Sequence, residues 1–203
     1  MSNVREPLSD PKAMRALAHP ARLAMINRLS VEGSATATQL AEAVGVTPSA
    51  ASYHLRMLAK YGFVEDAPSS GDGRERVWRA VKGGITVSTE VGEPLEVRAA
   101  KDLLIDAVWK DAAEEARRAR FAQEQEPEDW RTATKMSRTM LLLTGEEMRV
   151  LGEEIEKLTA RYRATDRDKS QLPEGARVAE AQVYLFPRAE RPAPGIPTED
   201  HDA

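Results

Sequence analysis

The chain contains no cysteine and only three histidines, His19, His54 and His201. Without a thiol there is no disulfide, no thiolate metal site and no cysteine nucleophile. No histidine falls between Gly83 and Asp200, so the second half has no imidazole to hold zinc, and transition metals strongly favour imidazole and thiolate. GxSxG, HExxH and a Walker phosphate loop are all missing, and no histidine has an identifiable triad partner. The sequence therefore predicts neither an enzyme, nor a bound cofactor, nor a metal protein. Aromatic residues make up only 5% of the chain, so most are needed for packing. No apolar run approaches the roughly 18 residues of a membrane span. The opening MSNVREPLSDP has no signal-peptide core, so the expected location is the cytoplasm, away from membranes.

The informative stretch is 36–80. It reads as helix, turn, helix, strand, Gly-rich tip, strand. Thr36 suits the cap of the first helix, with Gln39 three residues on for a capping box. Gly45 suits the left-handed residue that ends that helix. Thr47 caps the second helix, Pro48 opens it and Gly62 ends it, giving a helix over 48–61. Two short helices joined by a turn containing Gly form the helix-turn-helix unit, whose second helix enters the major groove. Ala51, Leu55 and Leu58 follow i, i+4, i+7 spacing and predict the buried face.

The remaining face carries Ser49, Ala50, Ser52, Tyr53 and Arg56 behind the Thr47 cap. Its short side chains permit close approach, its hydroxyls suit any base, and Arg56 can grip guanine or phosphate. His54 lies on the same helix and either touches the DNA backbone or bonds within the domain. His19, before Pro20, is expected to cap a helix or pack between the first two. Residues 65–80 predict a basic hairpin, with Arg74 and Arg76 just after the flexible tip, reaching phosphates or the minor groove.

Residues 11–82 resemble the winged-helix domain of the ArsR-type (arsenic-repressor-like) transcriptional regulators. The matching segments are ALAHPARLAMINRL at 16–29, TQLAEAVGVTPSAASYHLRMLAKYGFV at 38–64 and GRERVWRA at 73–80. The resemblance implies a homodimer that binds double-stranded DNA at a palindromic operator and represses transcription. It places Ser49, Ala50, Ser52, Tyr53 and Arg56 at DNA-facing positions of the recognition helix, and Arg74 and Arg76 in the wing. Arg22 matches the arginine of the HPxRL motif, with either a structural or a DNA-backbone role. The chain departs from the pattern in lacking the cysteine pair of the helix before the turn and the histidines of the C-terminal zinc site. Glu42 alone remains as a ligand on that first helix.

Charge is uneven. Residues 10–82 carry ten Lys/Arg against seven Asp/Glu, a net +3, whereas 83–203 carry eighteen against twenty-five, a net −7. The basic bias falls on the DNA-reading part, as phosphate neutralisation requires. Beyond it, 83–92 predicts a link with one strand near 85–91, and 93–126 a long helix. Ala100, Leu103, Leu104, Ala107, Val108 and Trp109 form a stripe expected to pair with its two-fold mate. Residues 132–144 (TATKMSRTMLLLT) and 177–188 (RVAEAQVYLFPR) predict strands around an amphipathic helix at 146–163. Trp109, Trp130, Tyr162, Tyr184 and Phe186 either line a cavity for a small-molecule effector or form a plain core.

The expected class is thus mainly α with small β (α+β). A flexible N-terminus (1–10) precedes a winged helix-turn-helix domain (11–82). A linker and dimerisation helix (83–126), a small C-terminal α/β unit (127–188) and a disordered tail (189–203) follow. The competing reading is a ligand-gated or protein-binding winged-helix dimer without strong DNA sequence specificity.

Overall fold

Polar caps start the helices of the first half. Asp10 caps α1 (Pro11–Leu17), and His19 Nδ1 accepts from the Ala21 N–H at 3.2 Å to open α2 (Pro20–Glu32). A two-residue strand β1 (Ala35–Thr36) leads into α3 (Ala37–Val44). There the Thr36 hydroxyl accepts from the Gln39 N–H at 3.3 Å and the Gln39 side chain accepts from the Thr36 N–H at 2.8 Å, the reciprocal box its sequence promised. Gly45 closes α3 with φ +71°, the left-handed region in which a side chain would be strained. Thr47 Oγ1 then accepts from the Ala50 N–H at 3.2 Å and starts α4 (Pro48–Lys60).

A computed structural model describes residues 8–68, 75–81, 87 and 92–188. After α4 come β2 (Val64–Ala67) and β3 (Val77–Ala80), antiparallel with Val64 opposite Ala80 and Asp66 opposite Trp78. β1 adds to the far edge of β3, giving the order β1-β3-β2. Leu17, Leu29, Leu40, Leu55 and Leu58 are fully buried beneath this sheet and the four helices. Ala51, Leu55 and Leu58 are the three buried residues of α4, as their spacing requires. The fold is mainly helical with a small three-stranded sheet and one long helix.

That long helix is α5 (Leu95–Ala122), followed by a 3-10 turn at Gln123–Gln125. Its apolar stripe divides. Ala100 and Leu104 are buried in the core of their own subunit, mainly against α1, with Ala107 packed beside them. Arg15 pairs with Glu96 at 2.9 Å and Asn27 donates to Asp111 at 2.9 Å, fastening the helix at its start and again past its midpoint. Lys101 is buried and paired with Glu93. Leu103, Val108 and Trp109 stay exposed.

The second half departs from expectation. Helix α7 (Gly145–Ala160) forms where the 3.6-residue period placed it, with Thr144 and Glu147 in a capping box. The two flanking segments do not form strands. Residues 128–133 fold as helix α6 (Glu128–Ala133), and 134–144 and 177–188 run without helix or sheet. The reason is that a strand exists only through a ladder, and among the described residues neither 135–143 nor 177–188 has a backbone hydrogen-bond partner. The strand expected near 85–91 and the tail 189–203 lie outside the described residues. Among the described residues, no helix is long and apolar enough to cross a membrane.

Candidate nucleic-acid interface

α4 presents two faces. Its inner face is clamped by Ala51, Leu55 and Leu58; its outer face begins at the capped N-terminus. Thr47, Ser49, Tyr53 and Arg56 are exposed, and Ala50 and Ser52 are half-buried. The first turn carries a partial positive charge, suited to a phosphate or an acceptor edge. Arg56 has no ion-pair partner among the described residues, so its guanidinium is available at no internal cost.

His54 is placed differently. Its ring packs on His19 with centroids 4.6 Å apart and meets Tyr53 edge-on at 5.6 Å. His54 Nδ1 and Arg22 Nε are buried with no hydrogen-bond partner among the described residues. Partial burial pushes the pKa of both histidines below the usual imidazole value, and the Arg22 charge pushes the same way in each. Burial lowers the Arg22 guanidinium too, offset in part by Tyr53 and Tyr61. His54 thus belongs to a polar cluster linking α4 to the start of α2. Arg22 of the HPxRL motif lies beside it, half-buried.

The wing is built as a hairpin, but its cations are engaged. Arg76 forms a bidentate pair with Asp66 across the strands, with Nη2 to Oδ2 at 2.6 Å, and its guanidinium lies 4.1 Å above the Trp78 ring. The pair holds the Asp66 carboxyl below its ordinary range, first through the hydrogen bond and then through charge. Arg79 pairs with Glu65 at 2.8 Å. Arg74 and the hairpin tip lie outside the described residues. The pairing of Arg76 was not legible from sequence, because register alone brings Asp66 beside the Arg76–Trp78 turn into β3.

Three of the five aromatics expected together do meet. Trp109, Tyr184 and Phe186 line an open groove of about 290 Å³ with Ala113 and Gln182, and Trp109 meets Tyr184 edge-on at 5.9 Å. Gln182 Nε2 donates to the Ala112 carbonyl at 2.8 Å, pinning this segment to α5. Trp130 instead lies under Arg177, and Tyr162 lies beside Arg161 and Arg167. No cluster of three or more metal-ligating side chains occurs among the described residues.

Comparison with known proteins agrees with the helix pair. No curated protein matches the chain in sequence. Among solved structures, ZitR of Lactococcus lactis is 14% identical, with 71% of this chain and 83% of that chain covered and a TM-score of 0.34. A MarR family transcriptional regulator from Silicibacter pomeroyi is 19% identical, covering 69% and 72% at a TM-score of 0.32. A MarR mutant from E. coli, solved in complex with operator DNA, is 17% identical, covering 68% and 73% at 0.32. Residues 17–67 match the model of a helix-turn-helix domain, and this is the part of the chain in which α2, α3, α4 and β2 lie.

Proposed function

We propose that the chain is a sequence-specific DNA-binding transcriptional regulator of the ArsR-like winged-helix type. It acts as a homodimeric repressor on a palindromic operator. α4 enters the major groove, with Thr47, Ser49, Ala50, Ser52 and Tyr53 near the base edges and Arg56 reaching guanine or phosphate. The wing, with Arg74 and Arg76, lies along the backbone, and His54 supports the helix from behind. The observation that carries this reading is the outward face of α4: capped, small and polar at its start, and ending in an unpaired arginine. The aromatic groove at Trp109, Tyr184 and Phe186 is the place where an apolar effector would act. The test is selection of the purified protein on a randomised duplex pool at two salt concentrations. A palindromic motif with half-sites about one helical turn apart supports the reading. Weak binding that is blind to sequence and erased by salt overturns it.

A further inference from the structure

The second half of the chain has no core of its own. No described residue after Ala112 is buried, although α6, α7 and the segments between them are ordered parts of the fold. Every residue of 134–144 is exposed, including Leu142 at 101%, and so is every residue of 177–188 except the half-buried Leu185. Ordering that much backbone costs free energy that only burial can return.

The two segments nevertheless have the character of strands. In 177–188 the faces alternate: Gln182, Tyr184 and Phe186 turn to α5, while Leu185 lies against α7, where a Cβ built on Gly152 would come within 3.8 Å of it. Helices thus cover parts of both faces and, among the described residues, nothing bonds to the segment's backbone edges. Residues 134–144 supply a second free segment of matching length.

We propose that a second copy of this chain completes this half, with residues 134–144 of one protomer adding as a strand to residues 177–188 of its partner. The inference rests on the dimeric reading above and moves the main contact from α5 to the C-terminal half. A two-fold axis makes the exchange reciprocal, so both protomers satisfy both segments with one kind of contact. The charges agree. Residues 134–144 carry Lys135 and Arg138 and no acid, whereas the receiving segment, with Arg177 and Arg188 against Glu180, and α7 beside it, with five glutamates against Arg149 and Lys157, together carry a net −2. The area agrees as well. Met136, Met140, Leu141, Leu142, Val178 and Val183 are between 54% and 101% exposed. Covering them removes about 700 Å² per copy, close to the roughly 800 Å² per partner of a standard interface.

A chain without cysteine makes the test direct. Single cysteines at each position from 136 to 143 are mixed in turn with a second chain carrying Val183→Cys or Ala181→Cys, and the mixtures are oxidised. The expected result is a covalent dimer joining the two different chains at neighbouring positions of matching register. The double variant Met140→Glu, Leu142→Glu is expected to raise the dimer dissociation constant by about 100-fold or more in sedimentation, with the melting of residues 8–80 unchanged. If the chain sediments as a dimer yet yields no mixed cross-link, or if a chain given both cysteines closes on itself instead, the strand exchange is overturned while the dimeric reading stands. If the chain is a monomer at micromolar concentration, both fall.

Discussion

Replacing Arg56 by alanine separates base reading from mere charge. Arg56 lies eight residues beyond Pro48, so it stands about 12 Å along α4 from the helix start. Its side chain leans back toward the N-terminus, over the Ser52–Tyr53 turn, which brings the guanidinium toward the readable part of the groove. The side chain is exposed and has no ion-pair partner among the described residues, so the substitution removes no internal bond and leaves the Ala51–Leu55–Leu58 face intact. A bidentate contact to guanine is worth about 1–3 kcal/mol of discrimination. Each half-site should then lose roughly 5- to 150-fold in preference for its best base, and a two-site dimer should lose the square of that factor. The assay is a titration of wild type and variant against the selected operator and against versions changed at single positions. Arg56→Ala should flatten the preference at one position per half-site. A variant that binds every sequence less well by the same factor, with a salt slope shallower by about 0.9 per half-site, would assign Arg56 to phosphate instead. A variant indistinguishable from wild type refutes the docking.

Arg76→Ala is expected to weaken binding to all sequences alike and to reduce the salt slope by about 0.9 per wing, read in the same titrations. Asp66→Asn should act in the opposite direction on affinity, because it releases Arg76 from its carboxylate partner. Thr47→Ala removes the cap on the Ala50 N–H and should cost about 0.5–2 kcal/mol in urea unfolding, a loss that Thr47→Ser should largely avoid. His19 and His54 have folded-state pKa values below the ordinary 6.5, so the folded state binds fewer protons than the unfolded one. Their contribution is fully present above pH 6.5 and is lost as pH falls below it, while the carboxylates with depressed pKa titrate lower still. Unfolding midpoints measured between pH 7.5 and 5.5 should fall with acidity, and His54→Gln should reduce the fall; these pH limits bracket the unperturbed histidine at about 6.5.

Much of the first half was legible because its signals are local. Thr36 with Gln39, Gly45, and Thr47 with Pro48 announce helix ends within four residues, and Ala51, Leu55 and Leu58 announce a buried face within two turns. β1 was not legible, since two residues show no alternation and their strand character comes only from pairing with Trp78 and Val77. The His19–His54 contact joins residues far apart in sequence and depends on how α2 crosses α4. The Asp66–Arg76 pair depends on hairpin register. Residues 134–144 and 177–188 show why period-two patterning falls short as a prediction: it states that a segment is fit for a ladder, and says nothing about where the other rail is.

The firm seat of α5 on its own domain has a mechanical consequence. The helix is 28 residues long, or about 42 Å, and it is fixed from Glu96 to Asp111 by Ala100, Leu104 and those two end contacts. It is therefore a lever whose long arm is welded to the reading head and whose short arm, from Ala112 on, carries the Gln182 attachment. Turning the welded arm about Ala112 by about 8° displaces its start, roughly 26 Å away, by about 3.5 Å, close to the ~3.4 Å rise of one base pair. Stiffness thus becomes a ruler: in the proposed dimer, a slight change of angle at the aromatic groove would alter the spacing of two heads by about one step of the double helix.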